Sequence, residues 1–306
     1  MSFRKCSSIS PWRMKNHNKE WGMASFVHQV RKGGWKAIKR LFLLMFFVIS
    51  PLWSHAGSGI VPFEPGERLT YRLKWNNVII GEVTVDVLSD QVVSGVNARH
   101  FYMTGRTSPF ADTFYEYRVK AEGYVLPDMS RSVFYTSDDN YRKTRELVTI
   151  HFDQVENKAH YISEKVKKGK RTMRKKTVSI LSDTFDMVSV FYHLRHQVKI
   201  LGEKKEFPVS ATNGRKLLAG KVYVVGDETI EVRDHGPRAA IHLQFDGKKL
   251  RDIHTLREKE DIVDLWISKD DPCAPLLIKG RAKFGRVAAE LVTIGANDLT
   301  RSPKMD

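Results

Sequence analysis

Cysteine is nearly absent: Cys6 and Cys273 are the two in 306 residues. Cys6 falls in a leader-like segment, so an intramolecular disulfide and a cysteine metal centre are both excluded from the chain beyond it, and stability must come from an apolar core. Long hydrophobic runs are also missing. The longest, Leu41–Trp53, has 13 residues, short of the ~20 that a helix needs to cross a bilayer. Acid is scarce at the start, with Glu20 alone against ten Lys and Arg in residues 1–56. Beyond that point no Pro/Gly/Ser-rich stretch divides the chain, which argues for one domain.

What is present before residue 57 reads as an export signal. Lys36–Arg40 is basic, the apolar run comes next, Pro51 breaks it, and Ser54 and Ala56 supply small residues, the order of a secretory signal cut after Ala56. No cysteine stands directly after the run, which argues against a lipid anchor. Met23 stands at a more conventional distance from the signal than Met1 and is the expected start. The expected organisation is a leader at 1–56 and a single periplasmic domain at 57–306.

That domain carries 41 basic and 34 acidic residues, net +7, and the excess is local. Lys165, Lys167, Lys168, Lys170, Arg171, Arg174, Lys175 and Lys176 lie together without an acid among them. The rest is nearly neutral, which excludes a globally basic nucleic-acid binder.

Alternation with period two dominates, as in Leu69–Trp75 and Val83–Val87, and similar runs recur from Arg99–Thr107 to Val287–Ile294. Strands turn successive side chains to opposite faces, so each run buries one side. Asn76-Asn77 suits a tight hairpin turn because Asn tolerates positive φ. Asp183–Arg195 breaks the pattern: Met187, Val190, Phe191 and Leu194 form a helical stripe. The expected fold is all-β with one helix: a large curved antiparallel sheet or half-closed barrel, with the helix packed on its concave side by that stripe.

Three ordered marks support this. Gly66–Tyr71 with Ile80–Val83, then Asp186–Arg195, then Leu265–Asp270 with Pro275-Leu276 and Gly285–Leu291 together resemble the bacterial exported proteins grouped as domain of unknown function 3108. The resemblance implies a periplasmic β-rich domain and brings no catalytic residues with it.

Candidate chemistry is thin. His193 and His196 share a helix face but lack a third ligand, so no metal is expected. Ser189 sits in no Gly-x-Ser-x-Gly elbow. Asp264, Asp270 and Asp271 match no calcium-loop spacing. Asp186 suits the helix start, and Arg195 suits a buried structural ion pair with an acid of the sheet. Tyr71, Trp75, Phe101, Phe114, Tyr117 and Phe134 either fill a core or line a ligand cavity. The cationic run, with Gly169 at its centre, reads as a hairpin tip facing an anionic surface such as envelope lipid or lipopolysaccharide, or as a solvated edge that discourages strand pairing.

The expected function is therefore non-enzymatic and without a cofactor: a periplasmic binding or carrier protein for an apolar or amphipathic envelope ligand, in peripheral contact with the membrane and without nucleic acid. An envelope assembly or interaction protein with a solid core is the alternative, and a hydrolase of envelope polymers a further one.

Overall fold

The computed structural model describes residues 61–246, 262–270, 272–282 and 285–296. The expected leader and Asp271 lie outside the described residues. Asn76 and Asn77 both take positive φ, 46° and 67°, and join β1 (Glu67–Trp75) to β2 (Val78–Val93). From there the chain meanders through β3 (Val96–Thr107), β4 (Tyr117–Val125), β5 (Ser132–Tyr141), β6 (Thr144–Asp153), β7 (Lys158–Lys167) and β8 (Lys170–Ser179). A second meander comes after it: β9 (Thr184–Phe185), β10 (Glu206–Thr212), β11 (Leu217–Val232), β12 (Gly236–Asp246), β13 (Ile262–Ser268), β14 (Pro275–Ala282) and β15 (Gly285–Ala296).

The β1–β15 pairing joins the two meanders into one 15-stranded sheet with β8 at one edge and β9 at the other. Every ladder is antiparallel except β9–β10. Twisted open sheets seldom exceed ~10 strands without curling, and this one curls around a helix. Its concave face carries the core: Leu69, Tyr71, Leu73 and Trp75 of β1 are buried, as are Phe101, Tyr117, Ile150 and Tyr161 from later strands.

Among the described residues two helices interrupt the strands. Helix α1 (Pro109–Asp112) is short and begins with Ser108 accepting the Ala111 N–H and with Pro109 in the first turn. That Ser-Pro start is a helix signal within a stretch where the strand pattern predicts none. Helix α2 spans Ser189–Lys199, six residues later than the helix expected from Asp183. Thr184 and Phe185 are instead strand β9, paired with Ser210 and Ala211. The effective cap is Asp186, whose Oδ1 accepts the N–H groups of Val188 and Ser189. A further difference is that α2 is buried around its circumference: all residues from Ser189 to His196 are buried, not the apolar stripe alone. The sheet wraps the helix instead of supporting it from one side.

Candidate functional site

Helix α2 occupies the concavity through aromatic packing. Tyr192 stacks on Phe101 at 3.9 Å and meets Phe63 edge-on at 5.0 Å, while Phe191 meets Tyr71 edge-on at 5.8 Å. The start of the helix presses on β4 at Gly123, where a Cβ would lie 2.5 Å from Ser189 Oγ and 2.6 Å from Asp186 Oδ1. Only glycine permits this approach. Asp186 Oδ2 accepts the hydroxyls of Ser132 and Ser189 at 2.6 and 2.5 Å. Burial raises the Asp186 pKa, against the pull of those donors.

At the other end Arg195 is wholly buried and forms a fork on Glu67 of β1, at 2.5 and 2.7 Å. It also donates to the carbonyls of Pro62, Pro272 and Cys273. Burial opposes its charge, but Glu67 outweighs this and the Arg195 pKa is raised. His193 is buried beside Phe185, and burial, reinforced by His196, pulls its pKa to about 3. Burial lowers His196 as well, and neither of its ring nitrogens has a hydrogen-bond partner among the described residues. No group of three potential metal ligands occurs among the described residues.

The six aromatic candidates do not share one wall. Tyr71, Trp75, Phe101 and Tyr117 are buried, and the first and third of them are covered by α2. Phe114 packs edge-on against Phe110 beside α1. Phe134 lies on the convex face, between Tyr124 and His151. On that face Glu122 accepts His100 Nε2 at 2.9 Å and the Tyr124 hydroxyl at 2.6 Å. Burial pushes the Glu122 pKa up, but these bonds prevail and hold it below the usual range. A second imidazole, His242, has one nitrogen on Glu228 and the other on Asp264, and stacks on Trp266 at 4.4 Å. Sequence reasoning missed both pairs because their members are brought together by register. A groove of about 230 Å³ on the convex face is lined by polar residues of β2–β5, including Thr104, Lys120 and Asn140.

The cationic run is a hairpin. Lys168 and Gly169 both take positive φ, 50° and 76°, between β7 and β8, the geometry that matches strand twist in a two-residue turn. Every residue of β8 from Lys170 to Thr177 is exposed. Strand alternation divides the cations. Ala159, Tyr161 and Ser163 point inward, and across the ladder they pair with Val178, Lys176 and Arg174. Lys165, Lys167, Lys170, Arg174 and Lys176 therefore share the concave side, whereas Arg171 and Lys175 take the convex side with the exposed Ile162, Val166 and Met173. Arg171 bonds Glu164 at 2.5 Å and Lys165 lies 3.6 Å from Glu146. Lys167, Lys168, Lys170, Arg174 and Lys175 have no acidic partner among the described residues.

A family model described as "Protein of unknown function (DUF3108)" matches residues 70–292. The chain belongs to this family. The match runs from β1 to β15 and so takes in α2, both imidazole–carboxylate pairs and the cationic hairpin of this DUF3108 chain. No curated protein matches it significantly. Among solved structures it is similar to a β-barrel-like protein of domain of unknown function DUF1849 from Brucella abortus, at 9% identity and a TM-score of 0.47, covering 76% of this chain and 98% of that one. It is also similar to a candidate exported protein with a YmcC-like fold from Bacteroides fragilis (8% identity, TM-score 0.32, 81% and 99% covered). A candidate lipoprotein from Parabacteroides distasonis gives 9% identity, a TM-score of 0.33, and 76% and 97% covered. The fold assignment rests on this chain's own strand ladders.

Proposed function

We propose that this DUF3108 chain is a non-enzymatic interaction module of the cell envelope, exported by the leader at 1–56, that engages anionic amphipathic surfaces through the β7–β8 hairpin. The observation that carries the reading is the hairpin itself: an exposed sheet edge with unpaired cations and three exposed aliphatic side chains on its convex face. Each cation near an anionic membrane contributes ~1 kcal/mol, and exposed aliphatics add apolar contact. The alternative of a carrier is less favoured because Phe191 and Tyr192 already cover Tyr71 and Phe101. A hydrolase is less favoured because His100 and Glu122 are 2% and 7% exposed, and His242 has both nitrogens engaged by carboxylates.

Co-sedimentation with anionic and neutral vesicles across a salt series tests the reading. The parent should bind anionic vesicles, and binding should fall with salt because exposed charges are screened beyond about 8 Å at physiological ionic strength. Replacing Lys167, Lys168, Lys170 and Arg171 with Ser should weaken it. Equal binding by parent and variant, or none by either, would overturn the reading.

A further inference from the structure

The sheet does not close by hydrogen bonding, since β8 and β9 are its two edges. Side chains bridge the gap instead. The β10–β11 turn crosses to the far end of the sheet and presses on β6 and β7. At Gly214, with φ +74°, a Cβ would lie 2.5 Å from Tyr161 Cδ2 and 2.9 Å from Ile150 Cδ1. The turn is held by its own bonds: Thr212 Oγ1 accepts the Gly214 N–H and donates to the Lys216 carbonyl, and Asn213 Oδ1 accepts the Arg215 N–H. Arg215 is thereby fixed over the seam. Its Nη2 donates to Glu146 Oε1 at 2.8 Å and to the Tyr161 hydroxyl at 2.7 Å, and its Nε donates to the same hydroxyl. Nη1 donates to no described residue, and the side chain is 49% exposed.

Cations from the hairpin gather on the same spot. Lys176 Nζ donates to the Arg215 carbonyl at 2.5 Å, and Lys165 lies 3.6 Å from the Glu146 carboxylate that Arg215 also grips. Arg215 spans from Tyr161 to Glu146, and the strand row between these is Val148–Ser163–Arg174. Arg174 is exposed on that row and has no acidic partner among the described residues. Four cations from three segments thus gather at one seam: Arg215 and Lys165 meet the buried Glu146 carboxylate, whose remaining oxygen accepts the Tyr141 hydroxyl, and a second acid, Asp139, lies opposite Glu146 in the β5–β6 ladder. Against these two acids the excess is about two positive charges around a preoriented guanidinium edge, a match for a compact dianion with several acceptor oxygens.

We infer that this seam is a binding site for a phosphate monoester or inorganic phosphate, held by Arg215 with Lys165, Arg174 and Lys176. The inference rests on the interaction reading only for the source of the phosphate, which is a lipid headgroup or a free anion. The cations of the hairpin accordingly have two roles, divided by position along it: Lys165, Arg174 and Lys176, nearer its base, close with Arg215 on one phosphate, and Lys167, Lys168, Lys170 and Arg171 at the tip meet a surface.

The experiment uses the full exported chain and two probes, inorganic phosphate by titration calorimetry at low salt, and vesicles containing either phosphatidic acid or an equal charge of phosphatidylglycerol. Arg215→Gln and Arg174→Gln should each weaken phosphate binding at least tenfold. Arg215→Lys should recover part of the loss, and the four-serine tip variant should change phosphate affinity less than threefold. Binding of inorganic phosphate with no preference for phosphatidic acid assigns the site to a free anion. A preference for phosphatidic acid that Arg215→Gln abolishes assigns it to a headgroup. No phosphate binding by the parent, or an equal loss in the tip variant, overturns the site whether or not the vesicle reading stands. Arg174 is exposed, so its variant reports on the site even if loss of Arg215 unsettles Glu146.

Discussion

Helix α2 and the β7–β8 hairpin are both short and rich in polar residues, and the fold treats them in opposite ways. From Ser189 to His196 the polar groups of α2 are buried, so each must be paired, as Arg195 is with Glu67, or held neutral, as His193 is. In the hairpin the cations remain in water and most lack an acid partner. Charge buried without compensation costs several kcal/mol, whereas exposed charge costs almost nothing and stays available to a partner. The two regions therefore separate what holds this protein together from what it presents.

Breaking the helix side should give the largest effects. Arg195→Met strands the Glu67 carboxylate, 8% exposed, and should lower unfolding free energy by ~3–5 kcal/mol. Adding Glu67→Gln should recover part of this, because no lone buried charge is then left. Urea unfolding of the single and double variants measures it, and equal loss in both would mean that packing, not charge, is at stake.

Phe191→Ala should come next, at ~3 kcal/mol or somewhat more, from lost transfer energy and the cavity left against Tyr71. A loss below about 1 kcal/mol would show that α2 is not gripped by the sheet.

The histidines sharpen the comparison through pH. The pKa of His193 falls from an ordinary 6.5 to about 3 in the folded protein, so the unfolded chain takes up a proton first as pH drops. Its contribution to stability is fully present above about 6.5 and is lost as pH falls toward about 3. Asp186 acts in the opposite sense, since burial raises its pKa and protonation then favours the fold. Comparing thermal midpoints of parent and His193→Gln from pH 7 to pH 4 isolates the imidazole. The parent should lose more stability over that range, and parallel curves would remove His193 as the cause.

How much of this was legible depends on the range of the interaction concerned. Period-two alternation is local, and it placed strands and the Asn76-Asn77 turn. It also contained the two-faced character of the hairpin, because Lys165, Lys167, Lys170, Arg174 and Lys176 fall on one face once the Lys168-Gly169 turn is set. Asp186 was rightly placed at the helix start, but the helix was begun too early, at Asp183, because the pairing of Thr184 and Phe185 with Ser210 and Ala211 is not local, nor is the bond from Ser132 of β5 that holds Asp186. The Ser108-Pro109 start of α1 was readable from local rules. Arg215 was not: nothing local links it to Tyr161 and Glu146, 54 and 69 residues away. The β1–β15 ladder, which joins the ends of the described domain, is equally non-local.

The smallest expected effect tests the other side of the comparison. The four-serine tip variant removes three unpaired lysines and the Arg171–Glu164 pair, in which Arg171 is 67% exposed. An exposed pair of this kind contributes ~0–1 kcal/mol, and substitutions away from packed features stay within about 0.5 kcal/mol each. Removing clustered like charges relieves some repulsion, which offsets the lost pair. Unfolding free energy in urea should therefore move by less than about 1 kcal/mol in total while anionic-vesicle binding declines. A loss above about 2 kcal/mol would mean that β8 is held by its tip and that the hairpin belongs with α2 as a structural element. In that case the vesicle result would report unfolding, and the division between holding and presenting would not describe this protein.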